Sequence, residues 1–269
     1  MPVFVFLFYL AAGLVASLAV VRIGAEGRRF FLFNAALALA MGAIALILRV
    51  VGPGRWGWGA ALEPSAYGVG LSATALAVLA AYVLLGALRS APRPLLRLSA
   101  VLLAAAVVTD ARTLHAAGGP LPYGTALHTV NAVTSAWLAG SILLAMVLGH
   151  FYLVLPRLSI APLRSLFRFS LAGLAARIVL VAGAGLLWWT GGDAAEALTV
   201  KVFLDRGVFV LQRVLFGLLI PAIFAWFTYK TIEMRSTQSA TGILYVVVFS
   251  TLVGEALSVY LSLETAIPI

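Results

Sequence analysis

Eight times along this chain, charge all but disappears for about 20 residues, the length of helix needed to cross a ~30 Å hydrocarbon core. The runs fall at 3–21, 31–51, 68–88, 97–116, 128–154, 166–189, 207–228 and 241–262. No long polar stretch remains for a separate soluble domain. Composition agrees: 63% of residues are hydrophobic and 10% charged, against about half and a quarter in soluble domains. The reading is an all-α polytopic membrane bundle of about eight transmembrane helices, a single domain over 1–269. The first run, MPVFVFLFYLAAGLVASLAVV, lacks the basic leader of a secretory signal and is expected to be kept as a span.

Net charge is +9, which by itself invites a nucleic-acid reading. The distribution of that charge removes it. Connections 1–2, 3–4, 5–6 and 7–8 carry eleven of the basic residues: Arg22, Arg28, Arg29, Arg89, Arg93, Arg97, Arg157, Arg164, Arg168, Lys230 and Arg235. The alternate side carries five, Arg49, Arg55, Arg112, Lys201 and Arg206. Basic loops stay on the cytoplasmic face, so both termini are expected on the outer side and no nucleic-acid partner is implied. The basic face is suited to anionic lipid. The expected location is the cytoplasmic membrane of a bacterium or archaeon.

A weak repeat leads into spans 2 and 6, GRRFFLFNAALAL and LRSLFRFSLAGLA. A true duplication would divide the chain into four-helix halves, 1–125 and 126–269. The outer connection 190–206 is mildly amphipathic and suits a short helix lying on the membrane surface.

Polar residues inside the runs are the candidates for function, because charge in the bilayer is costly and faces the bundle interior. Counting 1.5 Å per residue from the span ends puts Asp110, Arg213 and Glu255 each about 10 Å below the outer boundary. His115, His128, Gln212, Asn131 and Ser135 belong to the same outer third. Spans 7 and 8 are antiparallel neighbours, so Arg213 and Glu255 are expected to meet, as a structural ion pair or as an anchor and proton carrier for a quinone oxygen or anionic substrate. Arg177 falls near the middle of span 6 with no acid expected at its depth, the strongest single pointer to an internal polar site.

Histidine is scarce. His115 and His128 flank the turn HAAGGPLPYGTALH and can be read as two axial ligands of one b-type haem near the outer face, with Asp110 orienting one ring. They can equally be read as ordinary helix-end histidines, and as a zinc or copper pair their spacing matches no compact motif. His150 lies 22 residues beyond His128, about 33 Å along one helix, so the two cannot share a metal. A haem at His150 would need a non-histidine partner or be five-coordinate. There is no cysteine, which excludes disulfides, Cys-ligated iron–sulfur clusters, covalent haem and thiol catalysis. No phosphate loop, Rossmann fingerprint or hydrolytic triad occurs.

Three functions remain open. One is an electron-transfer membrane subunit that exchanges electrons with quinone, possesses b-type haem in its cytochrome form, and docks other membrane or extrinsic redox subunits. In span count such a chain resembles the eight-span quinol-reactive anchors of respiratory oxidoreductases, a likeness of architecture only. The second is a secondary transporter. The third is a cofactor-free scaffold packed through small residues.

Overall fold

Lipid offers backbone groups no hydrogen-bond partner, so each apolar run must close its bonds within itself as a helix. The computed structural model describes residues 3–24, 27–56, 66–88, 92–115, 124–154, 158–189 and 193–265, with backbone alone at 53–56, 114–115, 187–189, 193–203 and 265. Its helices are α1 (Val3–Val20), α2 (Arg28–Trp56), α3 (Ala66–Leu88), α4 (Arg93–His115), α5 (Gly124–Val154), α6 (Ala161–Trp189), α7 (Asp193–Val214), α8 (Ile220–Glu233) and α9 (Thr237–Thr265). A π-helical turn, Leu215–Leu219, joins α7 to α8 into one span. Among the described residues eight helices are long and apolar enough to cross a membrane. The protein is therefore an integral membrane helical bundle.

Prolines set several ends. Pro94 and Pro162 each occupy the second position of a helix, α4 and α6, where the missing N–H has no partner to lose. Between α8 and α9 the chain turns on Arg235, which takes a left-handed φ of 55°. The amide of Ser236 then reaches back to the carbonyl of Thr231 (3.0 Å). Several buried hydroxyls bond to their own helices, as Ser17 does to Gly13 (2.7 Å) and Ser72 to Gly68 (2.8 Å), so these add polarity without leaving an open bond.

The amphipathic stretch 193–206 is helical but does not form a separate surface helix. It is continuous with span 7 as the start of α7.

α1 and α5 form the centre and are the most enclosed helices. α1 packs on α5, α2 and α4, while α5 packs on α6, α9 and α4. The neighbours repeat from half to half: α3 lies against α2 and α4, and the α7–α8 span lies against α6 and α9. At the matched positions of the two basic leads, Asn34 and Ser170 are both buried and both donate to a carbonyl four residues back, Phe30 (2.8 Å) and Leu166 (3.1 Å). Outward-facing Phe33, Ile47, Val101, Val179 and Phe249 are exposed, as lipid-facing side chains are.

The central crossing depends on two glycines. A Cβ added at Gly13 would stand 1.6 Å from the carbonyl oxygen of Ala136, and one at Gly140 would stand 2.0 Å from the carbonyl carbon of Gly13. Backbone therefore meets backbone, the close approach that small residues permit between membrane helices.

Candidate functional site

Glu255 sits on α9 within a stripe of buried polar residues, Thr251, Glu255, Ser258 and Ser262, spaced by four, three and four. That spacing keeps all four on one helical face, and the face is covered by α5 and α7. Arg177 of α6 and Arg213 of α7 both reach it. Arg177, Arg213 and Glu255 are each 0% exposed.

Arg177 grips the carboxylate side-on: its Nη2 lies 2.9 Å from Oε2 and its Nε donates to Oε1 at 3.2 Å. Its remaining donors are taken by α5 and α9. Nη1 donates to the side-chain oxygen of Asn131, to the Asn131 carbonyl (3.3 Å) and to Thr134 (3.4 Å), and Nη2 donates to Ser258 (2.7 Å). Asn131 in turn donates to Ser262 at 3.0 Å. Arg213 reaches the same carboxylate from α7, with Nη2 3.1 Å from Oε1, the oxygen that also accepts from Nε of Arg177. One carboxylate is thus shared by two guanidinium groups in a fully buried setting. A salt bridge there is tolerable only when the desolvated groups are hydrogen-bonded on all sides, which is what Asn131, Thr134 and Ser258 provide for Arg177.

The path of Arg213 explains the local backbone. A side chain on a helix normally leans toward the N-terminus, yet the Arg213 guanidinium lies over Gly217, one turn toward the C-terminus. A Cβ at Gly217 would be 1.7 Å from Nη1 of Arg213. A Cβ on the facing Gly254 would be 2.1 Å from the Cα of Gly217. Two glycines therefore let the π-turn lie directly on α9 beside Glu255. The π-turn itself has a cause in Pro221, which has no N–H for the carbonyl of Gly217. The ladder widens instead, and the amide of Ile220 bonds the carbonyl of Leu215, five residues back. Such turns are often found at functional sites.

No protein-family model matches the chain, and no curated protein is similar to it.

Arg213 and Glu255 meet as expected. The expectation that no acid lies at the depth of Arg177 is corrected: Glu255 does. α9 runs past its hydropathic end to Thr265, which lowers Glu255 to about 15 Å from that end, and Arg177 is about 18 Å from the end of α6. The length of an arginine side chain closes the rest. Asp110 does not join them. Its two oxygens accept from Arg49 of α2, both at 2.7 Å, and both side chains are 6% exposed. Each half thus places an arginine of its second helix on a carboxylate of its fourth. With the basic leads aligned, Arg177 falls opposite Met41, eight residues before Arg49, so the two pairs are offset by about 12 Å.

His128 is buried on α5, one turn before Asn131. His150 is exposed near the far end of that helix, with its Nδ1 3.3 Å from the Tyr245 hydroxyl. His115 ends α4; its side chain and most of the Gly-Pro turn lie outside the described residues. Gln212 is exposed and points away from the cluster that its neighbour Arg213 enters. Ser135 is buried, but Thr134 is the α5 hydroxyl that meets Arg177. Among the described residues no group of three histidine, aspartate or glutamate side chains is placed to hold a metal ion. Sequence reasoning missed Thr134, Ser258 and Ser262. The three- and four-residue recurrence of hydroxyls around Glu255 was the available signal.

The Arg49–Asp110 pair gives a contrasting test. Asp110→Asn is expected to lower stability by about 3 kcal/mol, the low end for breaking a buried pair, measured as a shifted midpoint in a denaturing-detergent titration. A shift below a third of that size would mean that water reaches Arg49.

Proposed function

We propose that this protein is the membrane subunit of an electron-transfer complex, and that the Arg177–Glu255–Arg213 cluster receives the head group of a lipid-soluble quinone. The observation that carries this reading is the sharing of one buried carboxylate by two buried arginines. The three groups sum to +1, a field that favours an electron-rich oxygen and stabilises the negative charge it gains on reduction. Arg177, on α6, is fixed by partners on α5 and α9; Arg213 is the arm that can exchange Glu255 for a ligand. Glu255, between two cations, is the group placed to pass a proton. In the cytochrome form of this reading, His115 and His128, or His150 with a non-histidine ligand, would hold b-type haem. Other membrane or extrinsic subunits would supply the redox partner.

The test begins with gently solubilised protein. Quinone is extracted and quantified per chain, a short-chain quinone is titrated in, and a reduced-minus-oxidised spectrum is recorded with haem quantified. Expected is bound quinone at close to one per chain, weakened about tenfold or more in Arg213→Gln, as for loss of a charged hydrogen bond worth about 1.5–3 kcal/mol. Wild-type protein that takes up neither quinone nor haem would overturn the reading.

A second reading has one observation in its favour. The π-turn at Leu215–Leu219 breaks a span beside the charged cluster, and interrupted helices at mid-membrane sites are a device of secondary transporters. Anion or proton flux in proteoliposomes, abolished by Glu255→Gln and independent of any redox partner, would decide for transport.

A further inference from the structure

The end of the bundle where α1 and α3 finish and α2 and α4 begin holds a different kind of site. A recess of about 180 Å³ opens there, bounded by α1, α2 and α4. Its charged lining is Arg22, Arg93 and Arg97, and its apolar lining includes Leu18, Phe31 and Leu96. The neighbouring arginine, Arg28, is already committed. Its Nη2 donates to the carbonyl of Gly86 at 2.6 Å and so caps the end of α3. Arg93 is held but not consumed: Nη2 donates to the carbonyl of Ile23 at 3.2 Å, and the guanidinium lies 5.9 Å from the centre of the Phe31 ring. Both contacts fix its direction and leave donors over.

Among the described residues no carboxylate lies within ion-pair distance of Arg22, Arg93 or Arg97. In sequence, 22–29 and 89–97 carry six arginines and one acid, Glu26; Glu26 and Arg89 lie outside the described residues. Three like charges gathered round one recess repel each other and call for an anion. Guanidinium groups suit a phosphate, which they bind through paired donors.

The position of the recess selects the source of that phosphate. Val20, in the recess lining, is 54% exposed, and Leu98 and Val101 on the adjoining α4 are 47% and 65% exposed. The recess therefore borders the lipid-facing surface, where a head group can enter while its acyl chains stay in the leaflet.

We propose that the Arg22–Arg93–Arg97 recess binds the phosphodiester head group of an anionic phospholipid drawn from the surrounding leaflet. Basic pockets between membrane helices on the arginine-rich face are sites of this chemistry. The site is independent of the Arg177–Glu255–Arg213 cluster and of whatever that cluster binds.

The test uses full-length protein released from nanodiscs of phosphatidylcholine with a minor fraction of phosphatidylglycerol, and counts retained lipids by native mass spectrometry. Wild type is expected to hold phosphatidylglycerol after phosphatidylcholine has been stripped. Retention should fall by about fivefold for each arginine removed in Arg97→Gln and Arg93→Gln/Arg97→Gln. Arg168→Gln/Arg235→Gln, with the same charge change outside the recess, should retain it. All these side chains are exposed, so folding is spared, and an unchanged elution profile verifies it. Wild type without preference for phosphatidylglycerol, or equal loss in the control variant, would overturn the proposal. So would displacement of the lipid by millimolar inorganic phosphate, which would make the recess a site for soluble phosphate.

Discussion

Glu255→Gln is expected to lower stability by about 5 kcal/mol, the upper end of the cost of removing one partner from a buried ion pair. The substitution is nearly isosteric, so packing does not explain the loss. It leaves Arg177 and Arg213, both fully buried, with two positive charges and no carboxylate between them. Arg213→Gln should cost less, because the side-on grip of Arg177 on Glu255 survives it. The double variant Glu255→Gln/Arg213→Gln should be more stable than Glu255→Gln alone, since it removes one of the two stranded charges. Sub-additivity of this kind is what a double-mutant cycle measures for residues in contact. Unfolding midpoints in a denaturing-detergent series would show it. A Glu255→Gln loss under about 1 kcal/mol, or simple additivity in the cycle, would mean that the arginines find other company and that the carboxylate is not their common partner.

Gly13→Ala and Gly140→Ala are the other substitutions expected to do most damage, each costing about 3 kcal/mol or more, at or above the upper range for overpacking. One methyl group is a small addition, but here it meets backbone. The atoms at 1.6 Å from a Cβ on residue 13 and 2.0 Å from one on residue 140 belong to the partner helix itself, so no rotamer change relieves the contact. α1 and α5 would have to separate along the seam that joins the first four spans to the rest. Gly183→Ala and Gly185→Ala form the control. Both lie within α6 with nothing inside 4 Å of the added carbon, so about 0.5–1 kcal/mol of stabilisation is expected from the lost backbone freedom. Thermal unfolding of the four variants side by side would check the contrast. If all four behaved alike, the close crossing would not be the feature that holds the halves together.

Gly217→Ala is a subtler change at the same kind of contact. Its added carbon would meet the end of the Arg213 side chain before it met α9. The first consequence would fall on the Arg213–Glu255 approach, with overall stability affected second.

Much of this was legible before any coordinates. Eight spans follow from hydropathy, since lipid admits little else, and the meeting of Arg213 with Glu255 follows from two antiparallel neighbours with charges at equal depth. Arg177 was recognised as needing a partner, yet the partner went unseen because hydropathy ends a helix where polar residues begin. α9 continues as far as Thr265, and the depth of Glu255 moves with it. Arg49 was placed at the outer end of span 2, within the run 31–51, and its pairing with Asp110 went unread because spans 2 and 4 are not consecutive and nothing in the sequence sets them side by side. The histidines show another limit. Spacing alone puts His128 and His150 at opposite ends of one helix, but whether an imidazole faces inward is set by helix rotation. The fold buries the first and exposes the second.

The widened turn at Leu215–Leu219 also has a consequence for descent. Closing a bond over five residues where the ordinary helix closes over four takes up one extra residue, and each residue turns a helix by about 100°. Everything from Ile220 to Glu233 is therefore rotated relative to the helix that α7 alone would have continued. A cousin of this chain lacking that one residue would present a different strip of α8 to the lipid and would draw the end of Arg213 off Gly217. When such cousins are aligned, a single-residue gap in LFGLL would mark those in which α8 is turned relative to α7.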